Sequence, residues 1–429
     1  MGGNALKKVK ASRINLKIYD LIKQEILKTF ESILSNNIAF PTEIPGKTDF
    51  GDLDILYTAK TMAFNSDEQN NVSFNLRDFI IETYKTPDIV TNGSVISFAY
   101  PFDRIKHLLE TTETTETTDT TKPIYFQVDF IKTNNLKMGL FYFSYGDLGN
   151  ILGRITKYHG LRLGDHGLFL NLSAETLSEY YEHSGQNICR PTDLCGNIIP
   201  YTTLAVSDEI LLSIDPSKIC LFLGLNYEMW QTSFLTLNDI FEWIKSTPLF
   251  SAKIFCETNL NYIHKEKIKI RPMYNKFVES LTESLTESLT ESLTESLTES
   301  LTESHTKSHT ESHTKSLNNL TDQMDKSNKP NKPNKQLESI FYFDKISDMH
   351  QIINNVQTKK IRNDKFNGSK LINLGIEQKQ LGDYIKTFKS YIDDKFNMDF
   401  NEWIDNNDTE EIDKILNQFI LKKIESIKY

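Results

Sequence analysis

Two aspartates at alternate positions of an apolar run are the residues of this chain best suited to chemistry. Asp52 and Asp54 lie in the sequence GDLDILY, and the apolar residues around them favour a β-strand over the alternative, a surface turn that carries two acids. Side chains two apart in a strand point to the same face. Two adjacent carboxylates repel each other unless a cation lies between them, and Mg²⁺ takes oxygen ligands. We therefore predict a site for Mg²⁺ or Mn²⁺ at Asp52 and Asp54.

A third acid fits the same chemistry. Asp129 interrupts the apolar, strand-like run YFQVDF. A carboxylate in such a run is unfavourable if it is buried and unpaired. If this strand lies beside the first, Asp129 joins the other two acids as a metal ligand and can accept the proton of an attacking hydroxyl.

The residues just before the aspartate pair are suited to binding phosphate. The sequence reads Gly46-Lys47-Thr48-Asp49-Phe50-Gly51. A glycine before a strand lets backbone N–H groups approach a phosphate, and a lysine supplies a compact positive charge. We predict nucleotide contacts at Gly46, Lys47, Thr48 and Gly51.

The order of these motifs resembles the polymerase-β-like nucleotidyltransferase superfamily. GDLDIL in particular is similar to the corresponding motif of viral poly(A) polymerases. The resemblance implies that Asp52 and Asp54 bind both metal ions, that Asp129 activates the incoming hydroxyl, and that Gly46 and Lys47 face the triphosphate.

Both ends of the chain add to the resemblance. The opening MGGNAL is similar to that of some viral and phage nucleotidyltransferase-like proteins, although a flexible terminus is the simpler interpretation. The C-terminal segments Phe366–Leu371, Leu374–Ile376 and Leu381–Ile385 resemble the helical tail of CCA-adding tRNA nucleotidyltransferases and bacterial poly(A) polymerases.

A basic helix after the third acid is a further candidate for nucleotide contacts. The segment 143–150 opens a helix that carries Arg154 and Lys157. These two residues are placed to contact ribose, base or phosphate, and a solvated cationic face is the alternative.

The expected function is Mg²⁺- or Mn²⁺-dependent transfer of a nucleotidyl group from an NTP to a hydroxyl acceptor, with an RNA 3′ end as one candidate. Two alternatives remain open. One is a catalytically inactive nucleotidyltransferase-like scaffold or RNA-binding protein, which the absence of a serine after Gly46 favours. The other uses the same site to modify a protein hydroxyl.

The elements that must position these residues follow from apolar periodicity. Helices are predicted over residues 19–34, 76–85, 146–159 and 237–245. Strands are predicted over residues 52–57, 94–99 and 124–131. The predicted fold class is α+β, with a nucleotidyltransferase-like head that contains a small mixed sheet, followed by mainly helical regions.

Two low-complexity stretches divide the chain and carry all of its net charge. Residues 110–121 are rich in Thr with a charge of -4, and residues 279–315, built on the repeat SLTE, have a charge of -6, against -10 for the whole chain. A four-residue period does not keep leucine on one helix face, so we expect a disordered or marginally helical insertion. The predicted domains are 1–135, the catalytic head with its Thr-rich loop 110–121; 136–278, mainly helical; 279–336, repeat and linker; and 337–429, helical.

The composition of the chain indicates a soluble protein. The four cysteines contain no CxxC pair, which argues against a disulfide scaffold or a zinc ribbon. No run approaches the length of a membrane helix, and the basic start has no apolar segment of a secretory signal behind it. We expect an intracellular, cytoplasmic protein without a membrane partner. The Asn-, Lys- and Ile-rich composition suggests an AT-rich genome such as that of a large DNA virus, in which case the location is the host cytoplasm or the virion.

Overall fold

Two units make up the fold of the chain. In the computed structural model, unit 1 comprises Met1–Leu170 and Leu211–Phe343, and unit 2 comprises Asn171–Ile210 and Asp344–Tyr429. The structure describes residues 3–34, 37–58, 75–106, 125–173, 176–177, 180, 209–256, 259–281 and 335–427. The Thr-rich loop 110–121 and nearly all of segment 279–336 lie outside the described residues. The boundaries of the four predicted domains stay a prediction.

The fold class is α+β, as predicted. In the described part of the chain the strands are β1 Ile14–Asn15, β2 Ile38–Ala39, β3 Asp49–Phe50, β4 Asp52–Tyr57, β5 Ile89–Asn92, β6 Val95–Pro101, β7 Tyr125–Lys132, β8 Leu161–Gly164, β9 Gly167–Asn171 and β10 Glu209–Ser213. The helices up to residue 281 are α1 Leu16–Leu34, α2 Leu76–Tyr84, α3 Leu136–Phe143, α4 Leu148–Tyr158, α5 Pro216–Leu223, α6 Tyr227–Gln231, α7 Leu237–Lys245, α8 Tyr262–Ile270 and α9, residues 272–281. The later helices are α10 Lys335–Tyr342, α11 Ile346–Lys365, α12 Gly368–Asn373, α13 Leu381–Phe396, α14 Phe400–Asn406 and α15 Thr409–Ile427.

A mixed five-stranded sheet is the centre of unit 1. Its strand order is β2-β4-β7-β6-β5. The central strand β7 runs parallel to its neighbour β4, and the other neighbouring strands pair antiparallel. The three strands predicted from the sequence are β4, β6 and β7, and their ends differ from the prediction by no more than two residues. Segment 136–278, predicted to be mainly helical, also contributes to a second sheet in the order β10-β9-β8.

Helix α1 covers one face of the five-stranded sheet. Ile22, Ile26 and Phe30 recur every four residues and are fully buried, so they form one apolar stripe. The Phe30 ring lies 4.8 Å from that of Phe130 on β7. The helix begins three residues before the prediction because the Asn15 side chain accepts the Ile18 N–H (3.1 Å) and so caps its first turn.

Helices α3 and α4 follow β7 directly and meet at a tight junction. Asn135 caps α3 by accepting the Met138 N–H at 2.9 Å. Gly149 lies in the first turn of α4, where a Cβ atom would be only 2.2 Å from the Tyr142 carbonyl oxygen. The close approach of the two helices therefore requires glycine at this position.

The C-terminal part of unit 2 is a helical bundle, as predicted. Its core contains Phe388 from α13, Trp403 from α14 and Phe419 from α15. The Phe388 and Trp403 rings meet edge to face at 6.1 Å. Arg362 on α11 donates two hydrogen bonds to the carboxylate of Asp405, at 2.8 and 2.5 Å.

Within the described residues, none of the helices combines the length and the apolar character that crossing a membrane requires.

Candidate metal centre

Parallel pairing of β4 and β7 brings the predicted acids together. The register places Asp54 opposite Asp129, and Asp52 opposite Gln127. Asp52 and Asp54 share one face of β4, while Leu53 and Ile55 point into the core and are fully buried. The alternating pattern of β4 therefore directs both carboxylates to one side of the sheet.

The three carboxylates form a compact cluster. One oxygen from each of Asp52, Asp54 and Asp129 lies within 4.8 Å of the others, so the three acids could hold a metal ion. All three donors are carboxylate oxygens, which suit hard divalent cations such as Mg²⁺ and Mn²⁺ better than soft metals. The predicted convergence of the acids from two separate strands is confirmed.

Burial first, and then repulsion between the carboxylates, favours protonation of the cluster when no cation is bound. Burial raises the pKa of Asp54 well above its usual value, and the charges of Asp52 and Asp129 raise it further. Burial also raises the pKa of Asp129 to about 6, against the lowering effect of hydrogen bonds from Ser97 and Gln127. Burial raises the pKa of Asp52, and the charge of Lys47 partly opposes that rise. A divalent cation at the cluster would relieve this repulsion.

Gln127 fixes the orientation of the third acid. Its side-chain Nε2 donates to both oxygens of Asp129, at 3.1 and 2.9 Å. Its Oε1 accepts the backbone N–H of Ala5 at 2.8 Å, which determines the orientation of the amide. The Asp129 carboxylate is therefore held from its own strand.

The cluster faces a cleft large enough for a small molecule. The cleft has a volume of about 730 Å³. Its lining residues are Asn4, Pro41, Thr42, Glu43, Lys47, Asp52, Asp54, Val95, Asp129, Ile131, Tyr142, Phe143, Gly146, Asp147, Asn150, Ile270, Arg271 and Pro272. They come from the start of the chain, the loop between β2 and β3, the strands β4, β6 and β7, the α3–α4 junction and the link between α8 and α9.

Two cationic side chains of the cleft are each held by a carboxylate. The Lys47 ammonium lies 2.6 Å from Glu43, which also accepts the hydroxyl of Tyr19 at 2.8 Å. The Arg271 guanidinium lies 2.6 Å from Asp147. Both cations are partly exposed, so an anionic ligand in the cleft can reach them.

The predicted phosphate-binding residues do not all line the cleft. Lys47 does, whereas Gly46, Thr48 and Gly51 are outside its described lining. Gly46 has a left-handed φ of 73° in a turn that the Lys47 N–H closes on the Ile44 carbonyl (3.2 Å). The glycine therefore turns the chain so that the next residue enters the cleft.

The predicted contacts on α4 also lie outside the described lining of the cleft. Arg154 donates to the carbonyls of Ile254 and Asn259, at 3.1 and 2.6 Å, and so connects α4 to a neighbouring loop. Lys157 is exposed on the same helix. Asn150, one turn earlier, lines the cleft instead.

Several polar groups of the cleft have no strong signal in the sequence. Glu43, Asp147 and Arg271 are charged residues of types that are common on any protein surface, so their identity alone does not indicate a site. The Asp147–Arg271 pair joins positions 124 residues apart. Asn4 lies in the opening MGGNAL, whose resemblance to nucleotidyltransferase-like proteins was its only signal. Only the tertiary fold assigns these residues to the site.

Comparison of the chain with known protein families and with curated proteins finds no match. The site is therefore interpreted from its own geometry.

Proposed function

We propose that this protein is a Mg²⁺- or Mn²⁺-dependent nucleotidyltransferase, which moves a nucleotidyl group from an NTP to a hydroxyl acceptor such as an RNA 3′ end. The observation that carries the proposal is the cluster of Asp52, Asp54 and Asp129, with carboxylate oxygens within 4.8 Å, on the wall of a cleft of about 730 Å³. A cleft of this size accommodates a ligand of nucleotide size.

Each part of the cleft has a role in this reaction. Asp52, Asp54 and Asp129 would hold the divalent cation, which neutralises phosphate charge and acidifies the attacking hydroxyl when bound. Lys47 and Arg271 are the cations available to phosphate oxygens. Their present partners, Glu43 and Asp147, hold both side chains at the cleft before an anion arrives.

Asp129 is the proposed proton acceptor. In the metal-free protein its pKa is about 6, so it is ionised at neutral pH and more basic than an ordinary aspartate. The acceptor oxygen forms a bond to the α-phosphorus while the bond from that phosphorus to the bridging oxygen breaks. Pyrophosphate leaves with the electron pair, and the proton of the hydroxyl passes to Asp129.

The test is incorporation of label from α-³²P-labelled NTPs into RNA, with Mg²⁺ or Mn²⁺ and the full chain. We expect activity in the wild type and its loss in the double variant Asp52→Ala/Asp54→Ala. Asp49→Ala is the matched control, because Asp49 is close in sequence but exposed and paired with Arg13 (2.6 Å). The control should retain activity.

Two outcomes would count against the proposal. One is no incorporation with any NTP, metal or RNA, and the other is undiminished incorporation by the double variant. Calorimetric titration with NTP and Mg²⁺ distinguishes the enzyme from the alternative of an inactive scaffold or RNA-binding protein. The inactive protein should show no metal-dependent NTP binding. Mass spectrometry of candidate protein targets tests the protein-modifying alternative.

A further inference from the structure

The first described residues of the chain lie against the metal-binding strands. We call residues 3–9 the N-terminal strap. Its backbone N–H groups donate at three places: Gly3 to Asp52 Oδ2 at 3.2 Å, Ala5 to Gln127 Oε1 at 2.8 Å, and Lys7, Lys8 and Val9 to Asp88 Oδ2. The strap has no helix or strand of its own, so these side chains determine its path.

The strap passes so close to β4 that only glycine fits at its first contact. Gly3 has a φ of 86°, and a Cβ atom there would lie 2.4 Å from the Gly51 carbonyl oxygen. That distance is far shorter than a normal van der Waals contact. The Gly51 carbonyl oxygen belongs to the backbone, so it cannot move aside as the end of a side chain can. The Gly3 N–H can therefore reach Asp52 only because the residue has no side chain.

The strap reaches two of the three acids. It bonds Asp52 directly through Gly3, and it reaches Asp129 through the amide of Gln127. Asn4, between these two contacts, lines the cleft. Hydrogen bonds of this kind orient metal ligands and determine how well they bind an ion.

The far end of the strap is anchored away from the cleft. Asp88 is buried and accepts three consecutive backbone N–H groups, those of Lys7, Lys8 and Val9. It is not part of the described lining of the cleft. Asp88 can therefore be changed without touching any candidate metal ligand.

We propose that the N-terminal strap is a positioning element of the metal centre: Gly3 and Ala5 hold Asp52 and, through Gln127, Asp129 in their metal-binding geometry, and Asp88 anchors the strap. The inference rests on the divalent-ion site of the proposed function but not on nucleotidyl transfer. Its direct test is metal binding by the isolated protein.

The test is titration of the full chain with Mn²⁺, with free Mn²⁺ measured by electron paramagnetic resonance. We expect Gly3→Ala and Asp88→Ala to weaken Mn²⁺ binding by about tenfold or more, the usual effect of removing groups that orient metal ligands. Asp88→Asn keeps an acceptor oxygen for the strap and should restore most of the affinity. Gly375→Ala is the control for backbone strain, since Gly375 has a φ of 88° but open space around its Cβ position.

The free energy of unfolding, measured in EDTA, separates positioning from simple stabilisation. A strap with only a structural role would lower that free energy in Asp88→Ala while the Mn²⁺ dissociation constant of the folded protein stayed at the wild-type value. That result overturns the inference. If Gly3→Ala does not fold, the comparison of Asp88→Ala with Asp88→Asn decides alone.

The outcomes also separate this inference from the proposed function. If the wild type binds Mn²⁺ but transfers no nucleotide, the proposed function is wrong. Weaker Mn²⁺ binding by the strap variants would still support the positioning role of the strap. Equal Mn²⁺ binding by the wild type and both strap variants overturns the strap and leaves the proposed function standing. A wild type without Mn²⁺ binding overturns both.

Discussion

Asp54 experiences the strongest repulsion in the cluster of three carboxylates. Its carboxylate lies close to those of both Asp52 and Asp129. Its pKa is raised first by burial and then by these two charges. Its two neighbours have hydrogen bonds from Gly3, Ser97 and Gln127 that favour their charged forms. The charged form of the cluster is therefore unfavourable in the metal-free protein, and a bound cation would relieve the repulsion.

We predict that Asp54→Asn stabilises the metal-free protein while it removes metal binding. The substitution removes one buried charge, so the free energy of unfolding in EDTA at pH 7 should rise by roughly 1 to 3 kcal/mol. The gain should vanish at acidic pH, because a raised pKa makes the charge unfavourable only above the pKa of the unfolded chain. Urea denaturation at pH 4 and pH 7 measures both effects, and a destabilised variant at pH 7 would contradict the prediction.

We predict that metal binding releases protons at mildly acidic pH. The pKa of Asp129 is about 6, above the usual aspartate value of 3.8, so the folded metal-free protein keeps this proton to a higher pH than the unfolded chain does. Its contribution to stability is present below about pH 4 and is lost as the pH rises through 6, while metal affinity rises over the same range. Calorimetry at pH 6 in two buffers of different ionisation enthalpy measures the protons released. Affinity that does not change between pH 5 and 7 would be inconsistent with this assignment.

At the scale of elements, the α3–α4 junction determines where the second wall of the cleft lies. Tyr142 lies in the last turn of α3, while Asp147 and Asn150 lie at the start of α4, and all three line the cleft. Gly149 permits their approach, because a Cβ atom there would be 2.2 Å from the Tyr142 carbonyl oxygen. The junction therefore couples helix packing to the shape of the site.

We predict that Gly149→Ala destabilises the protein although alanine is the better helix former. Helix propensity alone would favour alanine by about 1 kcal/mol, but the contact with the Tyr142 carbonyl forces the helices apart. Gly153→Ala in the same helix is the matched control, since its nearest contact is 3.4 Å, and it should be neutral or stabilising. Thermal unfolding measures the stability of both variants, and Mn²⁺ titration measures whether the change at the junction alters the site. Equal stability of the two would show that the junction can relax.

At the scale of the whole molecule, the candidate site belongs to unit 1 alone. All the lining residues of the cleft fall within the two segments of that unit. Unit 2 has its own apolar core, which contains Phe388, Trp403 and Phe419. The stability of the helical bundle and metal binding should therefore be separable by mutation.

We predict that Trp403→Ala destabilises unit 2 without changing metal affinity. Removing this buried indole should lower the free energy of unfolding of the bundle by about 3 to 5 kcal/mol. Leu421→Ala on α15 is the control, because that side chain is 62% exposed. Calorimetric unfolding and Mn²⁺ titration under folding conditions measure the two properties. A loss of Mn²⁺ affinity in folded Trp403→Ala would show that the units are energetically coupled.

The amino-acid sequence by itself determined the local elements and the chemistry they carry. The alternation in β4 predicted that Asp52 and Asp54 share a face, and the apolar spacing within residues 19–34 predicted the helix α1. These features follow from the period of a strand or a helix, which depends only on neighbouring residues.

Only the tertiary structure decided which distant residues complete the site. The β4–β7 register brought Asp129 to Asp54, the close passage at Gly51 brought Gly3 to Asp52, and chain folding paired Asp147 with Arg271 across 124 residues. Such contacts depend on how whole elements pack and on backbone space at single glycines, and neither has a period that can be seen in a single sequence. The position of Arg154 after the third acid predicted a nucleotide contact. Helix packing instead directs its guanidinium to the carbonyls of Ile254 and Asn259, outside the described lining of the cleft.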